Sequence, residues 1–418
     1  MTDLLTRTIK FDATRNAGLE RLESFVPFAG TTYRTERNFD YGPANRSNVS
    51  ALSPWVRHHL LTEQEICARI MQDFALSSTE KFIQEVFWRT YWKGWLEMRP
   101  SVWSTYEADR IEALERTQKN ANMRSDYTAA IEGNTGIDCF DAWAKELLET
   151  GYLHNHARMW FASIWIFTLR LDWTLGADFF LRHLMDADAA SNTLSWRWVG
   201  GLQTKGKHYL ARASNIRKFT EGRFNPQGLN ESAGPLPDDF AFDKPVPPEP
   251  PTPLPLGKKA MLLITEDDCT AEQLNFGSNE ICSIATWNLS DLRSPLKIGD
   301  AASSFTRHAL ADAARRACEK FGGNATSFAG DNAIENIVTA ACDAGAECVI
   351  APFTAQGWAR APMSLLAVKC AERDIAFCEI HRDWDTQAWP HATKGFFPFK
   401  EKIPQLMLTA GFDIKGKR

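Results

Sequence analysis

Apolar residues recur at three- and four-residue spacing through the first 230 positions, which predicts one helix after another. The runs FIQEVFWRTYWKGWL, FDAWAKELLETGYLHNHARMWFASIWIFTLRL and ADFFLRHLMD carry the pattern, and no strand-like run interrupts them. After residue 257 the rhythm changes. Short apolar runs at 260–265, 282–287, 348–353 and 375–380 alternate with SFTRHALADAARRACEKF, NAIENIVTAACDAG and PMSLLAVKCAERD. That alternation predicts βα units on a doubly wound parallel sheet. Between the two regions, residues 235–255 (PLPDDFAFDKPVPPEPPTPLP) hold nine of the chain's 20 prolines. Such a stretch cannot enter a helix or a central strand and predicts a polyproline spacer. The alternative is an extended arm laid on one unit's surface. The expected division is a helical region 1–230, a linker 231–256 and an α/β region 257–418.

Composition narrows the class. With 418 residues, 44% hydrophobic and 24% charged, the chain lies well inside the globular range. No apolar run reaches eighteen residues, so a spanning helix and a membrane partner are not expected. The N-terminus lacks the apolar core of a signal peptide, and the nine cysteines form no CxxC pair. A reducing, cytoplasmic setting is therefore expected. Cys67 and Cys139 alone precede the linker, too few thiolates there for an iron–sulfur cluster. The net charge of −5 is unevenly spread. Residues 1–230 carry 28 basic against 27 acidic side chains, and residues 231–418 carry 19 against 25. Binding to nucleic acid by bulk charge is thus disfavoured, although the helical region itself is near neutral. Eleven of the 15 tryptophans also lie in that region.

Three clusters there carry candidate chemistry. Glu85, Trp88 and Arg89 stand at i, i+3 and i+4, so one helix face presents an acid, a large π surface and a guanidinium. Such a face suits a flat aromatic ligand; it equally suits a core tryptophan beside a surface ion pair. Asn155, Arg158 and Met159 repeat the spacing, flanked by His154 and His156, whose i, i+2 separation on a helix does not converge on a metal. Asp186, Asp188 and Asn192 precede Trp196 and Trp198; the stretch lacks the glycine and glutamate of a calcium loop, and no metal site is expected. No GxGxxG or Walker motif follows a strand, so the α/β region announces no ligand.

Taken in order, the LSP helix start, ExxWR, TGYLHNHARM, LDW, DADxxxN and WRW resemble the flavin-binding helical domain of the DNA photolyase and cryptochrome family over about residues 1–228. The resemblance implies an all-α FAD-binding domain followed by an α/β Rossmann-like parallel-sheet domain. In the family the α/β domain comes first, so a circular permutation or an unrelated partner domain is implied. Tyr33 matches the residue that opens the flavin site, and Ser50, Ala51, Leu52 and Ser53 match its phosphate-binding segment, with Val49 in place of a threonine. Asn155, Arg158, Asp186, Asp188 and Asn192 match the flavin contacts, with Arg158 as ion partner of Asp186 and Asn192 facing N5. Glu85, Trp88, Asn155, Met159 and Trp198 match the contacts to a flipped-out lesion. Glu85, Trp88 and Asn192 would carry the catalytic roles. His156 replaces an arginine that meets phosphate. Trp196 and Trp173 match the proximal and middle members of an electron-transfer chain whose distal position falls at Asn120; Trp103, Trp160 and Trp165 are other exits.

The implied activity is that of a deoxyribodipyrimidine photolyase: repair of cyclobutane pyrimidine dimers in DNA by an electron from photoexcited reduced FAD. A cryptochrome-like blue-light photoreceptor acting on a signalling partner protein is the alternative, and a flavin-binding regulatory protein without photochemistry is a third. The sequence identifies no antenna chromophore.

Overall fold

The computed structural model describes residues 9–237 and 242–415. Helices fill the first stretch: α1 (Arg15–Phe25), α2 (Thr31–Glu36), α3 (Ser53–Arg57), α4 (Glu63–Asp73), α5 (Leu76–Glu97), α6 (Pro100–Lys119), α7 (Ala121–Glu132), α8 (Asp138–Thr150), α9 (Asn155–Ser163), α10 (Trp173–His183), α11 (Ala189–Gly200) and α12 (Ala213–Phe219). Capping explains several boundaries. Thr62 and Glu65 form a reciprocal capping box at α4, and Asp172 and Asp188 cap α10 and α11 with their carboxylates. The long apolar run 140–171 is not one helix. Gly151, at φ +66°, ends α8 in the left-handed region, and the chain turns before α9 begins.

The second stretch holds β1 (Lys259–Thr265), β2 (Glu280–Trp287), β3 (Ala325–Phe328), β4 (Cys348–Pro352) and β5 (Ala376–Ile380), all parallel in the order β3-β2-β1-β4-β5. This is the expected doubly wound sheet, with one strand more than the hydrophobic pattern showed. β3 reads Ala-Thr-Ser-Phe, lies at the sheet edge and is only partly buried, so it lacks the apolar run that marks its neighbours. Helices α13 (Asp300–Phe321), α14 (Ala333–Asp343) and α15 (Arg360–Ala371) make the crossovers. The last helices, α16 (Asp383–Ala388), α17 (Phe396–Lys400) and α18 (Ile403–Thr409), pack along α5.

One hydrophobic core runs through both regions. Gly94 on α5 admits Trp389 so closely that a Cβ there would lie 2.7 Å from its ring. Trp384 Nε1 donates to Thr90, the Tyr91 hydroxyl to the Lys394 carbonyl and Arg99 to the Thr393 carbonyl. The proline-rich segment is an arm rather than a free spacer. Leu236 N–H donates to the Gly200 carbonyl, Val246 N–H donates to the Met98 carbonyl, and Phe242 meets Trp95 edge-on at 5.4 Å. Proline removes backbone donors, and two of those that remain, Leu236 and Val246, find acceptors on the helical surface.

The crevice beyond the carboxyl ends of β1 and β4, where such sheets receive ligands, holds protein. Arg57 of α3 reaches the Glu266 carbonyl at 3.1 Å and Asp267 at 2.8 Å, and Glu266 accepts from Leu289 N–H and Trp358 Nε1. Where α10 meets α13, Gly299 N–H donates to the Arg182 carbonyl and packs against His183. Burial, with Arg182 beside it, holds His183 down at about 4. The unfolded chain takes up this proton near pH 6.5, whereas the folded chain refuses it until about pH 4. Stability present above pH 6.5 is therefore lost as pH falls through that window, by roughly 2 kcal/mol for this side chain after allowance for its partial exposure. Urea denaturation at pH 7 and pH 4.5 checks this: His183→Gln flattens the difference.

Candidate functional site

The phosphate-matching segment lies between α2 and α3. Ala51 adopts φ +50°, a conformation that costs a non-glycine residue energy, and Leu52 follows at φ −82°, ψ −9°. Left-handed followed by right-handed backbone turns successive N–H groups to one side, as in anion-binding nests. Among the described residues no protein acceptor meets the N–H groups of Ser50, Ala51, Leu52 or Ser53, or partners the hydroxyls of Ser50 and Ser53. Ala51 and Leu52 are buried. Buried donors left unpaired cost about 1–3 kcal/mol each, so this run suits a bound anion such as a diphosphate. The helix-dipole contribution is smaller than expected, because α3 has only five residues. Arg21 of α1, which no motif marked, donates to the carbonyls of Ser50 and Val49 at 2.7 Å and places a guanidinium beneath the loop. Tyr33 packs edge-on against Phe25 and Phe82, its phenol pushed up by burial.

The acidic pair is built by α9, α10, α11 and the turn Leu184–Asp188. Arg158 grips Asp186 with both terminal nitrogens, at 3.0 and 2.7 Å, and donates Nε to the Leu153 carbonyl. Asp188 caps α11 through Ser191 N–H at 2.7 Å and pairs with Arg89 at 2.8 Å. Burial would raise the Asp188 carboxyl, but Arg89, Lys93 and Arg57 outweigh it and hold the group ionised. Asn192 donates Nδ2 to the Ala177 carbonyl at 2.9 Å, which fixes the amide and leaves Oδ1 without a protein partner. Two acids, each paired with an arginine, a fixed amide with a free carbonyl and an unpartnered N–H run form a donor and acceptor set that fits FAD. Ser50–Ser53, Tyr33 and Arg21 would hold its diphosphate, and Arg158, Asp186, Asp188 and Asn192 its ring system.

The residues matched to lesion contacts are differently placed. Asn155 opens α9, is exposed and has no side-chain partner. Met159 is half-buried one turn on. Glu85 is held in an ion pair by Arg37, which stands one helical turn after Tyr33. Trp88 does not stand open on both faces: Phe396 of α17 stacks on it, 3.6 Å between centroids and 11° from parallel. Trp198 stacks on Tyr209 at 5.7 Å. His156 turns inward, Nδ1 2.9 Å from the Asn38 carbonyl and its ring 4.0 Å over Trp160; burial lowers its basicity, so it is a neutral core group rather than a phosphate ligand.

Trp196 is buried against Phe180 at 5.1 Å and Trp165 at 6.2 Å, while the ring neighbour of Trp173 is Tyr106 at 5.7 Å. Gly176, one turn after Trp173 on α10, lets Trp196 pack closely onto that helix beside Trp165. Asn120 is a helix cap, accepting from the N–H groups of Asn122 and Met123, which explains why no aromatic stands there. A cleft of about 930 Å³ lies apart from these groups, between the N-terminal segment, α1 and α13, and none of the family-matched residues lines it.

Residues 82–229 match the family model described as the FAD binding domain of DNA photolyase. The chain is 30% identical over 226 residues to the mitochondrial deoxyribodipyrimidine photo-lyase of Saccharomyces cerevisiae, covering 52% of this chain and 38% of that protein. It is 29% identical over 220 residues to the deoxyribodipyrimidine photo-lyase of a Synechococcus strain, covering 49% and 42%. It is 27% identical over 226 residues to cryptochrome DASH of Idiomarina loihiensis, covering 52% and 47%. The matched stretch thus spans less than half the length of these relatives. A solved class III photolyase from Agrobacterium tumefaciens is 25% identical, covers 50% of this chain and 43% of its own, and aligns at a TM-score of 0.41. Among the described residues no helix is long and apolar enough to cross a membrane. Over residues 82–229 the helical part of this chain is therefore similar to the FAD binding domain of DNA photolyase.

Proposed function

We propose that the protein binds FAD and uses blue light to repair cyclobutane pyrimidine dimers in DNA, as a deoxyribodipyrimidine photolyase. The observation that carries this reading is the fixed amide of Asn192, whose free Oδ1 sits on the same helix as Trp196 and Trp198 and next to the neutralised Asp186 and Asp188. When bound, the flavin supplies light absorption and one-electron chemistry. The chain's own part is to hold it and to receive the lesion. The Ser50–Ser53 amides would bind the diphosphate, Arg158 holds Asp186 in orientation, and Asn192 Oδ1 would accept a hydrogen bond from a protonated ring nitrogen. Asn155 and Glu85 hydrogen-bond the flipped dimer, Met159 and Trp198 border it, and Trp88 offers the face that Phe396 leaves free. Unstacking a damaged pair costs little, which favours lesion over intact DNA.

Band-shift titration of the FAD-loaded chain tests this. A dimer-containing duplex should bind tighter than its undamaged copy. Glu85→Gln and Asn155→Ala should each reduce that preference about tenfold without altering undamaged binding, the worth of one hydrogen bond to a charged or buried group. Equal affinity for the two duplexes would overturn the reading.

One observation favours a second reading, a photoreceptor acting on a protein partner. Phe396 covers Trp88 and Arg37 engages Glu85, so two lesion contacts already have partners within the chain. In that case the loaded chain shows no preference for the dimer and still responds to light through its flavin.

A further inference from the structure

A line of buried ion pairs leads from the flavin site to the α/β region. Asp188 meets Arg89 Nη1 at 2.8 Å, Arg89 Nε meets Glu63 at 3.0 Å, and the other oxygen of Glu63 meets His59 Nε2 at 3.1 Å. On its far side His59 presents Nδ1 to Asp268, 3.4 Å away, just beyond the carboxyl end of β1. Asp268 is clasped by Arg382 at 2.5 and 2.7 Å. Arg57, His58 and His59 form a finger on the helical side, all three facing the α/β region. Arg57 pairs with Asp267, His58 Nε2 meets Thr306 at 3.0 Å, and the His58 carbonyl accepts from Cys269 N–H. His59 holds φ +46° to make the reach, a strained choice for a side chain of its size.

His59, hydrogen-bonded to Glu63 through Nε2 and with Nδ1 3.4 Å from Asp268, is favoured as an imidazolium by the two carboxylates. Lys93 and Asp385 face the same cluster. Burial raises the Asp385 carboxyl beside this cluster, whereas Asp188, Glu63 and Asp268 are each lowered by their cationic partners. Burial opposes the charge on His59, but Glu63 and Asp268 outweigh it.

We propose that His59 is a positioning residue for the flavin site, held charged by Asp268 of the α/β region so that Glu63 and Arg89 fix the orientation of Asp188. The α/β region thereby acts on Asp188 through the carboxylate of Asp268. This rests on the reading of Asp188 as a flavin contact.

The test uses the full chain loaded with FAD. Asp268→Asn and His59→Gln should each weaken FAD binding about tenfold, the worth of one charge-assisted hydrogen bond at Asp188, and should shift the flavin midpoint potential in the same direction. Trp384→Phe, which removes a different contact between α16 and α5, should lower the melting temperature and leave both flavin readouts unchanged. Nitrogen-15 spectra of the wild-type chain should show both His59 nitrogens protonated at pH 8. Asp268→Asn and His59→Gln that behave like Trp384→Phe, or a neutral His59 at pH 8, would overturn the proposal. A wild-type chain that takes up no FAD removes the flavin reading itself and the proposal with it, an outcome distinct from either.

Discussion

Arg158→Met should destabilise the folded chain by about 3–5 kcal/mol and abolish stoichiometric FAD binding, because it leaves Asp186 charged, buried and unpaired. The pair is bidentate, and Asp186 has no other cation hydrogen-bonded to it. Methionine fills much of the arginine stem, so the loss reports the charge rather than a cavity. Denaturant unfolding of the cofactor-free chain measures the first effect, and flavin absorbance after gel filtration measures the second. The double variant Arg158→Met with Asp186→Asn should recover most of the stability and none of the flavin binding. That pattern separates a fold-stabilising pair from one that also shapes the site.

Gly176→Ala is the second large effect. A Cβ at this position falls 2.3 Å from Cη2 and 2.5 Å from Cζ3 of Trp196, and 2.9 Å from Trp165 Nε1. Alanine improves helix propensity by about 1 kcal/mol over glycine. Overpacking of a filled core costs up to about 3 kcal/mol. The second term wins, since Trp196 is walled in by Phe161, Phe180 and Trp165 and has no free direction in which to move. A net loss of about 2 kcal/mol is expected, with a changed tryptophan emission spectrum. Gly176→Ser should behave alike, which distinguishes steric displacement from any effect of polarity.

Much of the architecture was legible because periodicity reports burial. The strand runs at 260–265, 282–287 and 348–353 lie inside the sheet and their composition shows it, while the run at 375–380 keeps an apolar pattern at the other edge. β3 was not legible, since an edge strand reading Ala-Thr-Ser-Phe has no apolar pattern to give it away. At the site, short-range spacing placed Asp186, Asp188 and Asn192 around one cap, and Arg158 one turn from Asn155. Long-range partners left no local trace. Phe396 reaches Trp88 from more than 300 residues away, Arg21 belongs to a helix without a motif, and Arg37 lies just past the helix of the matched Tyr33. The family pattern fixes which residue stands at a position and says nothing of what the α/β region sets against it. The same reason accounts for His59, whose left-handed backbone turns it toward Asp268 of that region.

The central claim is light-driven dimer repair, and one measurement addresses it directly. The FAD-loaded chain, chemically reduced, is mixed with an oligothymidylate containing cyclobutane dimers and exposed to blue light while thymine absorbance is followed. The account predicts that absorbance recovers in the light and not in the dark, and that Glu85→Gln slows the recovery. Flavin that is bound and reduced, with no recovery of absorbance under illumination, would contradict it.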